Sequence, residues 1–595
     1  MVEEDSVLQI RQDIVQFYQL RCASSAHILE PMNPAATHIT PPARMGGHIL
    51  VDQLVAHGVR HVFCVPGESY LAVLDGLHDH DIDVTVCRQE GGAAMMADAH
   101  GKLTGAPGIC MVTRGPGAAN AMAGVHIASQ DSTPMILFVG QIERGMRERE
   151  AFQEMDYRAV FGTQAKWVTE IDQVERIPEL VSRAFHVATS GRPGPVVIAL
   201  PEDMLIESAQ VPDAPHYRVP ETAPSAAQMH AIAERLASAQ RPVAILGGSR
   251  WSADAVARFE AFAQAWQLPV AVQFRRQMLF STQHPCFIGD IGLGGNPQLM
   301  QFVRDSDLIL MIGGRFSEIA SQSYTLLEIP VPQQHFVHVH PDASELNRVY
   351  VADEAVNVSP AAFTEALSAL PNPEAAPVWA PALEAMHTSY ESWTNAAAVN
   401  HPGALQMGQV MAHLNEVLPD DAIMCNGAGN YATWLHRYRH FTRYGTQLAP
   451  TSGSMGYGLP AAVGAKRMFP ERTVVCFAGD GCFMMHGQEF ATAVQYQLPI
   501  VVLVIDNGMY GTIRMHQERH YPGRVSATTL RNPDFAAYAQ AFGGHGERVE
   551  TTEEFAPALQ RALDSGKPAI LHCLLDPEAI TPAQTLSAIR QQAQA

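Results

Sequence analysis

Two short segments in the last third of the chain carry oxygen-rich side chains at a spacing that could do chemistry. In FAGDGCFMMHGQEF, Asp480 stands between Gly479 and Gly481 at the end of an apolar run, TVVCFAG. In VVLVIDNGMYG, a second apolar run ends at Asn507, 27 positions further on. Both runs predict buried strands, and a helix follows Asp480. One β-α-β unit then separates the two residues, so their side chains can meet on neighbouring strand ends. A carboxylate, an amide oxygen and a nearby backbone carbonyl are hard donors that suit Mg²⁺ sharing its other positions with phosphate and water. Glycines between a strand end and a helix N-terminus let backbone N–H groups approach a phosphate. A GDG triplet alone reads as a turn and helix cap. The spacing to Asn507 turns it into a candidate metal and phosphate site.

Further segments have less specific chemistry by themselves. NGAGNYATW holds Gly429, Asn430 and Tyr431, and TSGSMGYGLPAA holds Gly453 and Met455. In VTVCRQEGGAAMMADAHG, Glu90 follows a predicted strand and opens a predicted helix. A carboxylate there ordinarily serves the helix dipole or cap.

Taken in order, these segments resemble the pyruvate oxidase, acetohydroxyacid synthase and decarboxylase group of thiamine diphosphate enzymes, over nearly everything from Gly46 to about Leu575. The resemblance implies thiamine diphosphate and Mg²⁺ as cofactors. It implies that Asp480, the Asn507 side chain and the Met509 carbonyl bind the metal, with Asp506-Asn507 in place of the family's tandem asparagines. Gly429, Asn430, Tyr431, Gly479, Gly481 and Cys482 would lie by the diphosphate. The Gly453 carbonyl and Met455 N–H would hold the aminopyrimidine, and the Met455 side chain would wedge under the cofactor. Glu90 matches the family's relay acid. A carboxylic acid against the aminopyrimidine ring nitrogen favours the imino form, which then removes the weakly acidic C2 proton. In the family that acid comes from one subunit and the diphosphate site from another. A homodimer is then the minimum, with a homotetramer expected.

The acceptor side decides the reaction. AFQEMDYRAVFGTQAKW resembles a segment near the substrate channel of acetohydroxyacid synthases, which implies substrate roles for Phe152, Gln153 and Lys166; a packed loop is the alternative. The stretch TRGPGAANAMAGVHIASQDSTPMILFVGQ, with Gln130 as a further substrate candidate, lacks the His pair of pyruvate-type decarboxylases. Glu68 in VPGESY falls near the acid of those decarboxylases, or is a turn residue. GRFSEI has Ile319 where acetohydroxyacid synthases carry an acceptor arginine, and RMHQE has His516 where they carry an acceptor-selecting tryptophan. A carboxylate-bearing acceptor normally wants a guanidinium. The reading is an acetolactate synthase-like carboligase, acting on small 2-keto acids or aldehydes. A non-ligating decarboxylase or lyase, a flavin-dependent oxidase and a catalytically silent binding homologue remain alternatives. GDIGLGGNP, MIGGRF and HVHPDASELN resemble flavin-domain segments, while GGS is a poor dinucleotide fingerprint, so FAD, another nucleotide or neither stays open in the middle block.

The elements that must position these residues form three β/α blocks. Strand-like runs such as HVFCVPG, GICMVTRG and PMILFVGQ, then RPVAILGGS and SDLILMIGG, then RTVVCFAGD and PIVVLVIDN alternate with helical periodicity. This predicts an α/β chain of three doubly wound parallel-sheet domains. By the resemblance they are a pyrimidine-binding domain at 44–210, a central Rossmann-like domain at 225–370 and a diphosphate-binding domain at 400–580. An extension at 1–43 with a predicted short helix (Val7–Leu20), a linker at 371–399 and a tail at 581–595 complete the chain. The 595 residues carry a net charge of −21 and only 17% charged residues. That balance argues against nucleic acid, and no apolar stretch is long enough to span a membrane. Nine scattered cysteines without CxxC and an acidic N-terminus predict a reducing cytoplasm.

Overall fold

The computed structural model describes residues 42–595. The predicted helix Val7–Leu20 lies outside the described residues, as does all but the last two positions of the expected extension.

Each domain is a six-stranded sheet in which every neighbouring pair is parallel. The first contains β1 (His61–Cys64), β2 (Asp83–Val86), β3 (Gly108–Val112), β4 (Met135–Gln141), β5 (Trp167–Glu170) and β6 (Pro195–Pro201), in the order β2-β1-β3-β4-β6-β5. Its helices α1 (Glu90–Thr104) and α2 (Pro116–Asp131) lie side by side. The central sheet contains β7 (Pro242–Leu246), β8 (Val270–Gln273), β9 (Phe287–Ile291), β10 (Leu308–Ile312), β11 (His335–Val339) and β12 (Glu354–Val356), in the order β9-β8-β7-β10-β11-β12. That is the dinucleotide-binding strand order, which opens a crevice between β7 and β10. The stretch expected as a linker contains a helix, α3 (Ala380–Trp393), which packs on β9.

The third sheet contains β13 (Ile423–Asn426), β14 (Gln447–Leu448), β15 (Val474–Gly479), β16 (Val501–Asp506), β17 (His545–Val549) and β18 (Ala569–Leu574), in the order β14-β13-β15-β16-β18-β17. This repeats the first sheet's topology. Its helices relevant to the site are α4 (Tyr431–Tyr438), α5 (Gly458–Met468), α6 (Asp480–His486), α7 (Glu489–Gln495) and α8 (Gly511–His520). The expected tail carries a further helix, α9 (Leu586–Gln594), docked on α8.

Strands such as β3, β4, β10 and β15 are buried along their whole length, because helices cover both faces of a parallel sheet. The central domain has its own core, but the first and third domains share one. Helices α1 and α5 meet there closely: a Cβ on Gly464 would lie 3.3 Å from Met96. Within this junction Lys102 is enclosed by two buried carboxylates, Asp98 at 2.8 Å and Asp131. Tyr457 donates to Asp98 at 2.7 Å, and the Lys102 ammonium lies over the Tyr457 ring. Burial raises Asp98, whereas Asp131, equally desolvated, is held below the usual carboxylate range by Lys102. Removing one partner of a buried ionic group typically costs about 3–5 kcal/mol. Lys102→Ala should therefore lower the midpoint of the first unfolding transition in a thermal scan by several degrees. An unchanged midpoint would refute the bridging role of Lys102.

Candidate active site

Strand β15 delivers Asp480 to its C-terminal end, and α6 begins there. The adjoining cavity, about 230 Å³, is lined by Gly429, Asn430, Tyr431, Gly453, Met455, Gly479, Asp480, Gly481, Cys482, Asn507 and Met509. All the residues expected around the diphosphate, the pyrimidine clamp and the metal thus face one space. The glycines are sterically required. A Cβ on Gly479 would lie 2.7 Å from the Tyr431 ring, and one on Gly481 would lie 2.7 Å from Tyr510. Tyr431 accepts the Gly427 N–H at 3.1 Å and donates to Cys482 Sγ at 3.1 Å, so its ring acts as a strut beneath the strand ends. Asn430 lines the cavity, but its amide is engaged. Its oxygen accepts the Thr512 hydroxyl at 2.9 Å, and its nitrogen donates to the Ile580 carbonyl at 3.2 Å.

Asp480 is buried, and burial pushes its carboxyl well above the usual range, against an opposing hydrogen bond from Asn532 at 2.7 Å. Asn532 also donates to Asp506 at 2.8 Å. Asp506 does not line the cavity. Its carboxylate accepts the Gly508 N–H at 2.9 Å and pairs with His572 Nε2 at 2.9 Å, contacts that hold it below the usual range despite burial. The aspartate in the family's first asparagine position therefore braces the loop after β16, leaving Asn507 to face the cavity. A desolvated carboxylate beside an amide oxygen and the Met509 segment fits a hard divalent cation. Among the described residues there is no cluster of three His, Cys, Asp or Glu that could hold a metal.

Three family models match in the order of the three sheets. They are the N-terminal TPP binding domain of thiamine pyrophosphate enzymes (residues 44–160), the central domain (229–367) and the C-terminal TPP binding domain (427–573). The acetolactate synthase isozyme 2 large subunit of Escherichia coli is 32% identical over 537 residues, covering 89% of this chain and 95% of that relative. The acetolactate synthase large subunit of Corynebacterium glutamicum is 30% identical over 560 residues, covering 90% and 88%. The probable acetolactate synthase large subunit of Methanocaldococcus jannaschii is 30% identical over 564 residues, covering 90% and 93%. The chain belongs to the thiamine pyrophosphate enzymes.

In this enzyme Glu90 is the first residue of α1, half-buried, and accepts a hydrogen bond from Asn120 at 2.9 Å. It does not line the diphosphate cavity of its own chain. The substrate candidates are scattered. Glu68 is exposed and paired with Arg114 at 3.0 Å. Phe152 is 74% exposed, and Gln153 has a positive φ of 66° in a tight loop against Gly115. His516 is exposed on α8, its ring stacked with His520. Lys166 bonds to a helix end. Its ammonium donates to the Val187 and Ser190 carbonyls, both at 2.6 Å, capping the helix Ile177–Thr189; the residue is exposed, but desolvation of the ammonium pushes it down to about 8. Those carbonyls, orphaned at a helix end, account for the lysine.

Gln130 does line a cavity, the larger one of about 640 Å³ at the β7–β10 crevice. This cavity shares Gly429, Asn430, Gly453 and Thr512 with the diphosphate cavity. Gly248 and Gly313, both with positive φ, close its floor; a Cβ on Gly248 would sit 1.7 Å from the Gly313 carbonyl. Arg275, Arg276 and Arg315 line it, with Ile319. Burial lowers Arg275 and Arg315 to about 10, so both stay charged at neutral pH.

Sequence reasoning missed Asn532, Thr512, His572 and Ile580, whose roles depend on contacts between distant segments. The residues of α9 were missed too. Leu586 and Ile589 pack with Met515 and Ile580, and Arg590 grips Glu518 at 2.7 and 2.8 Å, a pairing that pulls Glu518 down to about 2. Since Asn532 supports both carboxylates, Asn532→Ala should weaken Mg²⁺ affinity by about tenfold, the usual loss when a partner behind a metal ligand is removed. Calorimetric titration of Mg²⁺ in the presence of thiamine diphosphate measures this; wild-type affinity would show that Asn532 does not orient Asp480.

Proposed function

We propose that the enzyme is a thiamine diphosphate- and Mg²⁺-dependent carboligase of the acetolactate synthase type. It would decarboxylate a 2-keto acid, pyruvate by default, and join the remaining two-carbon unit to an acceptor carbonyl. The observation that carries this reading is the single cavity gathering Asp480, Asn507, Met509, Gly453 and Met455, in a chain aligned along 89% of its length with an acetolactate synthase large subunit. Bound thiamine diphosphate supplies a nucleophilic carbon and an electron sink. This chain's residues supply the rest. Asp480, the Asn507 amide and the Met509 carbonyl hold Mg²⁺ against the diphosphate. The N-termini of α6 and α4 and the glycine backbone at 479–481 present N–H groups to it. The Gly453 carbonyl and Met455 N–H grip the aminopyrimidine. Glu90 exchanges a proton with the ring nitrogen.

Glu90 is absent from the lining of its own chain's diphosphate cavity, which supports a homodimer in which each copy would lend its Glu90 to the other, with a homotetramer as its extension. Among the described residues no helix is long and apolar enough to cross a membrane, and eight cysteines are buried and free, which supports the cytoplasm as the compartment. The central cavity supports a dinucleotide, FAD by the resemblance, with buried guanidiniums for its phosphates. Its shared wall with the diphosphate cavity favours a second reading, a flavin-dependent oxidase.

Glu90→Gln should lower kcat by about 10²–10⁴-fold with an unchanged melting temperature; near-wild-type turnover would remove the relay assignment. Incubation of the holoenzyme with pyruvate, followed by mass spectrometry, separates the readings. Acetolactate is the expected product. Acetate with flavin bleaching would establish the oxidase, and free acetaldehyde alone the decarboxylase.

A further inference from the structure

Beyond Asp480, the chain runs through α6 into α7, whose first residue is Glu489. Glu489 is 0% exposed, and its carboxylate serves the first domain. Oε1 accepts the backbone N–H groups of Arg88 at 3.0 Å and Gln89 at 2.9 Å. Oε2 accepts the Thr492 hydroxyl at 2.6 Å. Arg88 and Gln89 immediately precede Glu90. Gly92, in the first turn of α1, leaves room for this carboxylate: a Cβ there would lie 2.6 Å from Oε1.

Two neighbours reinforce the contact. The Tyr496 hydroxyl accepts the Val86 N–H at 2.8 Å and donates to the Val84 carbonyl at 3.1 Å. Strand β2 is the edge of its sheet, so side chains of the third domain occupy the hydrogen-bonding positions that a further strand would take. His486 Nε2 lies 3.2 Å from Gln89 Oε1, the oxygen that also caps α1 by accepting the Gly92 N–H at 3.1 Å. On its other side the His486 ring abuts Gly456, next to Met455.

We propose that Glu489 is a positioning residue: its buried carboxylate fixes the turn Arg88–Glu90 and so sets where the relay carboxyl points. The domain that grips one cofactor thereby aims the acid that serves the other. This rests on the reading of Glu90 as the relay acid. The need is for a hydrogen-bond acceptor, not a charge. In Glu489→Gln the amide oxygen can take both backbone N–H groups while the amide nitrogen turns to the Thr492 hydroxyl. In Glu489→Ala both N–H groups lose their partner.

The test uses the holoenzyme and three readouts besides turnover. They are deuterium exchange at C2 of bound thiamine diphosphate by quenched-flow NMR, amide exchange of the Arg88–Glu90 peptide by mass spectrometry, and cofactor affinity. Glu489→Ala should slow C2 exchange by about 10²-fold and speed amide exchange in that peptide. KM and cofactor affinity should stay within about threefold. Glu489→Gln should keep C2 exchange within about threefold of wild type. Wild-type C2 exchange in Glu489→Ala overturns the proposal, as does a Gln variant as slow as the Ala variant. Should Glu489→Ala not fold, Gly92→Ala presses on the same carboxylate from the α1 side and should slow C2 exchange likewise; wild-type exchange there overturns it. Glu90→Gln run alongside separates the failures. Wild-type exchange in Glu90→Gln removes the relay reading and the proposal with it. Slow exchange there with wild-type exchange in Glu489→Ala removes the proposal alone.

Discussion

The Lys102 ammonium sits between the carboxylates of Asp98 and Asp131 with the Tyr457 ring beneath it, and contacts from all three domains converge there. Asp131 accepts the Thr451 N–H at 2.8 Å and the Thr451 hydroxyl, and the carbonyl of the same residue accepts Arg276 at 3.3 Å. Such carboxylates are tolerable inside a protein only with a cation and donors in place. The hydroxyl and N–H donors to these carboxylates, from Tyr457 and Thr451, arrive from the third domain, so the first domain's helices cannot be buried favourably by themselves. Packing of the three domains becomes a joint event. Thr451 is two residues before Gly453, so the same cluster that joins the domains also fixes the start of the loop that carries Gly453 and Met455.

That arrangement explains why two domains that share a core need cross-domain hydrogen bonds rather than apolar packing alone. Apolar contact between α1 and α5 is non-directional and tolerates small slides. A relay carboxyl must be placed to within a fraction of an ångström of the proton it exchanges. The hydrogen bonds of Tyr496 to the edge of β2 and of Glu489 to the Arg88 and Gln89 N–H groups just beyond it supply the direction, because each ties one named backbone group to one side-chain oxygen. Edge strands ordinarily need protection from stray pairing. Here the protection and the alignment are one set of contacts.

All the interior strands could be read from sequence, because their unbroken apolar runs follow from burial on both faces, and of the edge strands only β2 could. Five strands left no such signal, β5, β9, β12, β14 and β17, and every one is at the edge of its sheet. Gln447–Leu448 is only two residues long, and Glu354–Val356 and His545–Val549 carry charged or polar side chains. The glycines and Asp480 were legible because strand-end chemistry is local: a short apolar run, a glycine and a ligand residue occupy consecutive positions. Asn532, His572 and Glu489 were not, since each acquires its role from a partner distant in sequence. The contacts of Lys166 were hidden for a related reason: a helix end next to it in space offers two carbonyls, and that neighbour is not visible along the sequence. The helix within 371–399 was hidden behind proline, which is well tolerated in a first turn and reads as linker from composition alone.

An acidic protein that holds phosphates must concentrate what positive potential it has. With a net charge of −21, the surface cannot attract anions at a distance. The diphosphate cavity has no arginine or lysine in its lining, so its anion is met by helix N-termini, glycine backbone and the cation that Asp480 would hold. The central cavity takes the opposite course, with Arg275, Arg276 and Arg315 desolvated in its wall. A guanidinium stripped of water interacts far more strongly with a phosphate than one at the surface, since the local dielectric is low. Its charge survives there because guanidinium begins from so high a pKa that burial to about 10 leaves it protonated. A lysine in the same wall would start lower and lose its proton sooner, as the fall to about 8 of Lys166, whose ammonium is desolvated, illustrates. The arginines in one cavity and the strand-end glycines and helix N-termini in the other thus answer the same limit: neither cavity can draw on the field of the whole molecule, so each carries its own positive or N–H groups into the interior.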